Sequence, residues 1–145
     1  MKKVVFLTLI LLIALTPSAF SQRDRGAYFH ALSDLRAARW MLQHHPGNWV
    51  VVNEEMAAIR KIDDAIEEIK RASFDDGRRI DDHPPIQEIG DHRGRLGKAI
   101  EYLQMARADI AYGENNDFAR RLRQKAFFHI DEAIRLTQNA RMNMR

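Results

Sequence analysis

The sequence predicts an all-α protein, an up-down-up-down four-helix bundle built from a duplicated helical hairpin. One stretch carries isoleucines at the 3-4-3 spacing of a single helical stripe. They are Ile59, Ile62, Ile66 and Ile69. The stretch belongs to a repeat, because residues 25–72 match residues 93–140 with 13 identities in 48 ungapped positions. Each copy contains one short turn, and a short turn makes its two helices antiparallel neighbours.

Residues 1–21 have the pattern of a secretory signal peptide. Lys2 and Lys3 form a charged start, residues 4–15 are apolar, and small residues precede the expected cleavage site. The apolar run is too short to span a membrane as a helix. We expect the mature chain to begin at Gln22 and to be periplasmic or secreted.

Composition and charge restrict the mature chain, residues 22–145, to a single domain without a nucleic-acid signature. The full sequence has 23 Lys and Arg against 20 Asp and Glu, a formal charge of +3. Removing Lys2 and Lys3 with the leader leaves 21 against 20, so bulk charge does not indicate a nucleic-acid partner. The chain has no cysteine, and the fold therefore depends on apolar packing.

Helix boundaries follow from capping residues and glycines. The first helix should run from near Asp24 to Gln43. The second should be capped by Asn48 or Asn53 and should stop at Gly77. The third should start near Asp91. The fourth should run from about Phe118 to Asn139 or Ala140, and Arg141 to Arg145 should fray.

The apolar stripes give the predicted core. In the first helix it consists of Tyr28, Ala31, Leu32, Leu35, Ala38 and Leu42, and in the third of Leu96, Ala99, Leu103, Ala106 and Ile110. Residues 77–91 form the long connection between the hairpins, and Pro84-Pro85 excludes a helix there. A connection of this length is usually functional or is held by a few apolar anchors.

The antiparallel register predicts which charged residues lie at the same level. In the first hairpin His30 should meet Asp63, and in the second Lys98 should meet Asp131. Polar residues beside a core are usually paired. One interpretation is therefore that His30–Asp63 and Lys98–Asp131 are two half-buried ion pairs. The other is a divalent-metal site, with oxygen and imidazole ligands from His30, Asp34, Asp63 and the loop residue His83.

Both short turns lie at one end of an up-down-up-down bundle, and aromatic and basic residues collect there. The predicted partner-binding surface consists of Trp40, His44, Trp49, Arg120 and Arg121. Trp40 has no core position in the stripe, and Arg120 and Arg121 oppose their helix dipole. An anionic ligand or an envelope protein would suit such a surface. The other interpretation is a Trp40–Trp49 lid over the bundle end.

Three segments carry a family resemblance: HALSDLR at 30–36, IDDAIEEIK at 62–70 and DDGRRIDDHPP at 75–85. They resemble segments of an uncharacterised family of small exported bacterial helical-bundle proteins. The resemblance covers most of the mature chain. It implies export and a helical bundle, and it implies no catalytic or cofactor-binding residues.

These observations favour a non-enzymatic protein with a binding or structural role in the cell envelope. No Ser, His and Asp residues are ordered as a catalytic triad. We expect no cofactor, except for a divalent metal in the alternative interpretation. That alternative is a metal-binding four-helix bundle using the His and Asp residues named above.

Overall fold

The computed structural model describes residues 19–44, 52–73, 90–111 and 117–144, with the backbone alone described for 19–25. They form four helices, α1 (Ala19–Gln43), α2 (Asn53–Ser73), α3 (His92–Asp109) and α4 (Asp117–Asn143). The helices pack against one another, and the described ranges contain no strand. The predicted all-α four-helix bundle is confirmed.

Two helix starts follow local capping signals. Asp91 is the N-cap of α3, and its side chain accepts a hydrogen bond from the backbone N–H of Gly94. This bond satisfies one of the donors that a first helical turn leaves open. At α2 the carbonyl of Val52 accepts from the backbone N–H of Met56, so the helix begins at Asn53. The start of α3 near Asp91 agrees with the prediction. At α2, Val52 rather than the predicted Asn53 holds the cap position, because Asn53 is already the first helical residue.

The start of α1 differs from the prediction. The helix begins at Ala19, five residues before Asp24, and it crosses the predicted cleavage site before Gln22. The nearest helix-breaking residue upstream is Pro17, and nothing between it and Asp24 opposes a helix. Residues 1–18 of the predicted signal peptide lie outside the described residues. Within the described ranges, no helix has both the length and the apolar character needed to cross a bilayer.

The end of α4 also differs, because the predicted fraying from Arg141 is wrong. The helix continues to Asn143, and Met144 packs against the hydrophobic core. The Arg141 guanidinium lies over Gly97 of α3, with its central carbon 3.6 Å from the place that a Cβ atom on Gly97 would occupy. Packing against α3 therefore holds the last turn. The markers predicted for α2, Asn48 and Gly77, lie outside the described residues.

The core consists of the predicted stripes. Every core residue predicted for α1 and α3 is buried, as are Ile62, Ile66 and Ile69 of α2, while Ile59 is half-buried. Several positions are buried in both copies of the repeat. The pairs are 28/96, 31/99, 32/100, 35/103, 38/106, 42/110, 58/126, 62/130, 65/133, 69/137 and 72/140. The apolar stripes of the two hairpins are therefore buried at equivalent positions.

The order of the helices around the bundle shows which elements are neighbours. α1 packs on α2 and α3, and α4 packs on α2 and α3. The backbones of α1 and α4 make no close approach, nor do those of α2 and α3, so these pairs lie on the diagonals. The closest packing joins α1 to α3 and α2 to α4, between the two hairpins rather than within them.

The helix directions correct the predicted up-down-up-down order. The Arg95 guanidinium, in the first turn of α3, donates to the carbonyl of Met41 at 2.9 Å, near the end of α1. In the middle of the bundle His129 of α4 lies 3.6 Å from Asp64 of α2, and Lys125, one turn earlier in α4, lies 3.9 Å from Glu68, one turn later in α2, so α2 and α4 are antiparallel. The order is therefore up-down-down-up, and each pair of adjacent helices is antiparallel.

The long connection explains why this order can form. α2 ends at Ser73 and α3 begins at His92, which leaves 18 residues between them. α2 has 21 residues and is roughly 30 Å long. An extended chain of 18 residues can cover roughly 60 Å, so it can return to the other end of the bundle. Residues 74–89 lie outside the described residues.

The two hairpins have equivalent surroundings, as the duplication predicts. α1 and α3 each pack on one helix of their own hairpin and on each other, and the same holds for α2 and α4. The contacts His129–Asp64 and Lys125–Glu68 fix the register of α2 against α4. That register brings Ile62 level with its repeat equivalent Ile130. The approximate two-fold axis therefore crosses the helices near the middle of the bundle.

Candidate functional site

The α1–α2 end of the bundle brings together the end of α1 and the starts of α2 and α3. We call the group of aromatic and charged side chains there the end cluster. It consists of Trp40, His44, Glu55, His92 and Arg95. The end of α4 lies at the same end, because Arg141 packs over Gly97. Four helix termini therefore meet around this cluster.

Glu55 and His92 form the buried part of the end cluster. The Oε1 atom of Glu55 lies 2.7 Å from Nε2 of His92, and the two side chains are 0% and 8% exposed. Glu55 is in the first turn of α2, where the helix dipole favours a negative charge. Burial raises the pKa of Glu55, although the positive charges of His92 and Arg95 oppose this effect.

Arg95 connects the buried pair to the surface. Its guanidinium donates to the Met41 carbonyl, one of the last four carbonyls of α1, which have no acceptor role inside the helix. Its charge also complements the negative end of the α1 dipole. The same guanidinium carbon lies 5.7 Å from the centre of the Trp40 ring, within cation–π distance. Arg95 therefore fixes both the end of α1 and the position of Trp40.

Trp40 and His44 form the outer part of the end cluster. Their rings stack with centroids 4.6 Å apart and planes 18° apart. Trp40 is half-buried and packs against the core, whereas His44 is exposed. The expectation that Trp40 has no core position is therefore wrong. The Trp40 ring contacts the Arg95 guanidinium and the core, and the His44 ring stacks on it.

The other predicted partner-binding residues do not join this group. Arg120 and Arg121 are in the first turns of α4, which starts at the α3–α4 end of the bundle. Arg120 forms an ion pair with Asp117 in the same turn, so an acidic neighbour already compensates its unfavourable position. Trp49 lies outside the described residues. The predicted surface is thus divided between opposite ends, because the helix order differs from the predicted one.

The ion pairs between helices correct the predicted register. Asp63 pairs with Arg39 at 2.6 Å and Asp131 with Arg107 at 2.5 Å, so His30 and Lys98 are not their partners. The two observed pairs are repeat equivalents, as the predicted ones were. The predicted register compared only the positions of Cα atoms along the two helices. An arginine side chain is long enough to reach a carboxylate that is not level with its own Cα atom. Lys98 instead binds Glu101 in its own helix.

The predicted metal ligands are only partly brought together. His30 and Asp34 share a face of α1, but Asp63 is held by Arg39, and His83 lies outside the described residues. Asp109 of α3 joins His30 and Asp34, since its charge acts on Asp34. Across the described ranges, no group of three His, Cys, Asp or Glu side chains is arranged to hold a metal ion.

Asp34 and Asp109 form an acidic group between α1 and α3. Burial, with a smaller effect from the Asp109 charge, raises the pKa of Asp34 from 3.8 to about 6, although His30 opposes this shift. Burial also raises the pKa of Asp109. A raised pKa means that the folded protein holds a proton more tightly than the unfolded chain. The contribution of Asp34 to stability is therefore greatest below about pH 4 and is lost as pH rises towards about 6.

We predict that Asp34→Asn removes much of this decline. At pH 7.5 the variant should be more stable than the wild type by about 1–2 kcal/mol, after allowance for solvent screening. Near pH 3.5 the two proteins should be almost equally stable. Urea denaturation at both pH values measures the effect. Asp63→Asn is the comparison: it removes the carboxylate bound to Arg39 and should not raise stability at pH 7.5. Parallel pH profiles for the wild type and Asp34→Asn would contradict the assignment.

Sequence reasoning missed Glu55, His92 and Arg95, although a signal for two of them was present. Glu55 lies three residues before Ala58 and seven before Ile62, on the same stripe. His92 lies four residues before Leu96, at the first position of the α3 stripe. A charged or polar residue on an apolar stripe is seldom buried without a partner. Searching the stripes for such residues would have found the buried pair.

Comparison with protein-family models, with curated proteins and with solved structures finds no match for this chain. The functional argument therefore rests on the geometry of the described residues.

Proposed function

We propose that this protein is an exported, non-enzymatic binding protein of the cell envelope, and that it binds its partner at the α1–α2 end. The observation that carries the proposal is the Trp40–His44 stack, in which an exposed imidazole lies on an indole fixed by Arg95. Rigid aromatic groups contribute contact area at low entropic cost. Such a pair, held at the end of a bundle, is suited to recognition.

The buried charged groups of this end support binding over catalysis. Glu55 and His92 are packed against each other, and Arg95 is bonded to a backbone carbonyl. These contacts fix helix termini. A general acid or base must reach a substrate, whereas His92 and Glu55 are almost inaccessible to solvent. The arrangement supplies a rigid base for the exposed residues above it.

The exposed side chains of this end indicate what a partner would offer. Val52, which directly precedes α2, and Met56, in the first turn of α2, are 39% and 40% exposed, and His44 is exposed as well. Apolar and aromatic groups beside an imidazole suit a partner that presents an apolar side chain and a carboxylate. An envelope protein with such a surface fits better than a small anion, because Arg95 is already bonded and buried.

We predict that His44→Glu combined with Met56→Glu abolishes capture of the partner from an envelope extract. The new carboxylates repel an acidic partner and break the apolar contact, and neither site is in the core. The matched control is Arg121→Glu with Phe118→Glu, which makes the same kinds of change at the α3–α4 end. It should leave capture unchanged. A photo-crosslinker at position 44 should label the same partner, and one at position 121 should not.

The reverse pattern would transfer the binding surface to the start of α4, as Arg120 and Arg121 first suggested. Loss of capture in neither variant would contradict binding at both ends. The metal-binding alternative names His30, Asp34, Asp63 and His83, and no group of three such side chains among the described residues is arranged to hold an ion. Elemental analysis of protein purified without chelator tests it, and about one divalent ion per chain would replace the present proposal.

A further inference from the structure

One outward stripe of α4 combines basic and aromatic side chains. Phe118, Arg121, Lys125 and Phe128 follow one another at spacings of three or four residues, so they share one side of the helix. All four are exposed, Phe118 by 52% and Phe128 by 63%. We call these four residues the α4 stripe. Exposed apolar groups that are grouped in this way, rather than scattered singly, indicate an interaction surface.

The positive charge of the α4 stripe reaches the surface without a matching negative charge. Glu68 of α2 lies 3.9 Å from Nζ of Lys125 and 3.7 Å from Nη1 of Arg71. Its side chain is only 12% exposed, whereas those of Lys125 and Arg71 are 62% and 60% exposed. Arg121 is exposed and forms no ion pair within the described part of the chain. Glu67 is exposed as well, but it lies roughly 100° around α2 from Glu68.

The repeat shows that the fold does not require the α4 stripe. Its last three positions correspond to Asn53, Ala57 and Arg60 in the first hairpin. α2 forms a helix over Asn53–Ser73 and buries positions equivalent to those of α4, with an amide, a methyl group and an arginine in these places. A role at the surface therefore explains the α4 stripe better than a role in folding.

We propose that the α4 stripe binds the surface of a bilayer that contains anionic phospholipids. Arg121, Lys125 and Arg71 complement the lipid phosphates, and each such cation strengthens binding to an anionic surface by roughly fivefold. Phe118 and Phe128 supply rings that enter the boundary between headgroups and acyl chains. Basic and aromatic side chains together are typical of helices that lie along a membrane surface without crossing it.

The length of the α4 stripe favours an extended anionic surface over a single small anion. Phe118 and Phe128 lie roughly 15 Å apart along the helix axis, and one phosphate cannot reach both ends. A bilayer presents both phosphates and apolar chains over such a length. Asp131 and Glu132 follow Phe128, so acidic residues limit the surface to the first turns of α4. The inference is independent of the proposed function, whose surface lies at the α1–α2 end.

The test is sedimentation of the full chain with vesicles of phosphatidylcholine, either alone or mixed with phosphatidylglycerol. The wild type should bind the anionic vesicles more tightly, and salt should weaken this binding. Arg121→Glu with Lys125→Glu should weaken it by roughly 30-fold, because two cations are lost. Arg60→Glu with Arg93→Glu is the matched control, since it changes the net charge equally at exposed positions outside the stripe. It should keep the wild-type preference for anionic vesicles.

A dye within the α4 stripe gives a second measurement that leaves all four side chains in place. The chain has no cysteine, so Gln124→Cys accepts a single environment-sensitive dye. Gln124 is exposed and lies between Arg121 and Lys125 in the chain. The emission of the dye should shift to the blue on anionic vesicles. The same dye at Met105→Cys, an exposed position of α3, should not respond. This difference also separates the stripe from binding through the apolar run at residues 4–15.

Three results would each overturn the proposal. They are an equal loss of binding in the matched control, equal binding of the wild type to both kinds of vesicle, and a blue shift at position 105 without one at position 124. A shift at position 124 that appears without vesicles, as the protein concentration rises, would assign the stripe to a second copy of the chain and would also overturn it. If circular dichroism shows that the Arg121→Glu with Lys125→Glu variant does not fold, the labelled chains decide.

Discussion

Replacing Glu55 by methionine is expected to lower the free energy of unfolding by about 3 kcal/mol, and replacing His92 by leucine should cost a similar amount. Each change leaves one member of a buried pair without its partner, and breaking such pairs typically costs 3–5 kcal/mol. The 2.7 Å contact and the near-complete burial of both side chains place the pair in this class. Urea denaturation at pH 7 measures both losses.

The double variant Glu55→Met with His92→Leu separates the pair interaction from simple loss of packing. It removes both charges together, so it should cost less than the two single losses combined, by about 1–3 kcal/mol. Glu54→Gln is the control, because Glu54 is in the same turn but only half-buried, and it should change stability by less than about 0.5 kcal/mol. Strictly additive losses would mean that Glu55 and His92 do not act as a pair.

The pH dependence of the same residue gives an independent check. Burial raises the pKa of Glu55 above its ordinary value of 4.5, so the folded state binds the proton more tightly than the unfolded chain. Stability from this group is greatest below pH 4.5 and falls as pH rises towards the folded pKa. Glu55→Met should therefore flatten the pH profile above pH 4.5.

The helices and their buried faces could be predicted because side-chain periodicity determines them. A residue such as Leu35 or Ile66 is buried because it falls on an apolar stripe, whichever helix covers it. The N-cap at Asp91 is equally local. These features depend on residues within one or two turns, and a single sequence contains all of that information.

The order of the helices could not be predicted, because an apolar stripe packs equally well on a parallel or an antiparallel neighbour. Only the connection between the hairpins distinguishes the two orders, and 18 residues are enough for either. The wrong order then placed Arg120 beside Trp40, although they lie at opposite ends. The buried contact of Arg95 with the Met41 carbonyl decides the order, and it joins residues 54 positions apart in the chain.

The candidate site was only half predicted for the same reason. Trp40 and His44 were found because an aromatic residue off the stripe is visible in the sequence. Glu55, His92 and Arg95 come together only when the start of α3 lies beside the end of α1 and the start of α2. Predicting the buried pair therefore required the helix order. Its members could be identified as polar residues on apolar stripes, but they could not be paired.

The repeat makes a further prediction about the core, for Ile62 and its equivalent Ile130. Both side chains are fully buried, and they lie at the same level of α2 and α4. Ile62→Ala and Ile130→Ala should each lower the free energy of unfolding by about 3–4 kcal/mol, because each leaves a cavity in a close-packed core. If the hairpins are equivalent, the two losses should agree within about 1 kcal/mol, because the cost of a cavity depends on its surroundings and these would match. Met105→Ala, at a position that is 51% exposed, should cost less than about 0.5 kcal/mol.

The double variant should depart from additivity, since the two cavities open near the same point on the two-fold axis. Denaturant titration of all four proteins measures these values, and losses for Ile62 and Ile130 that differ by more than about 2 kcal/mol would show that the two halves of the core are not equivalent.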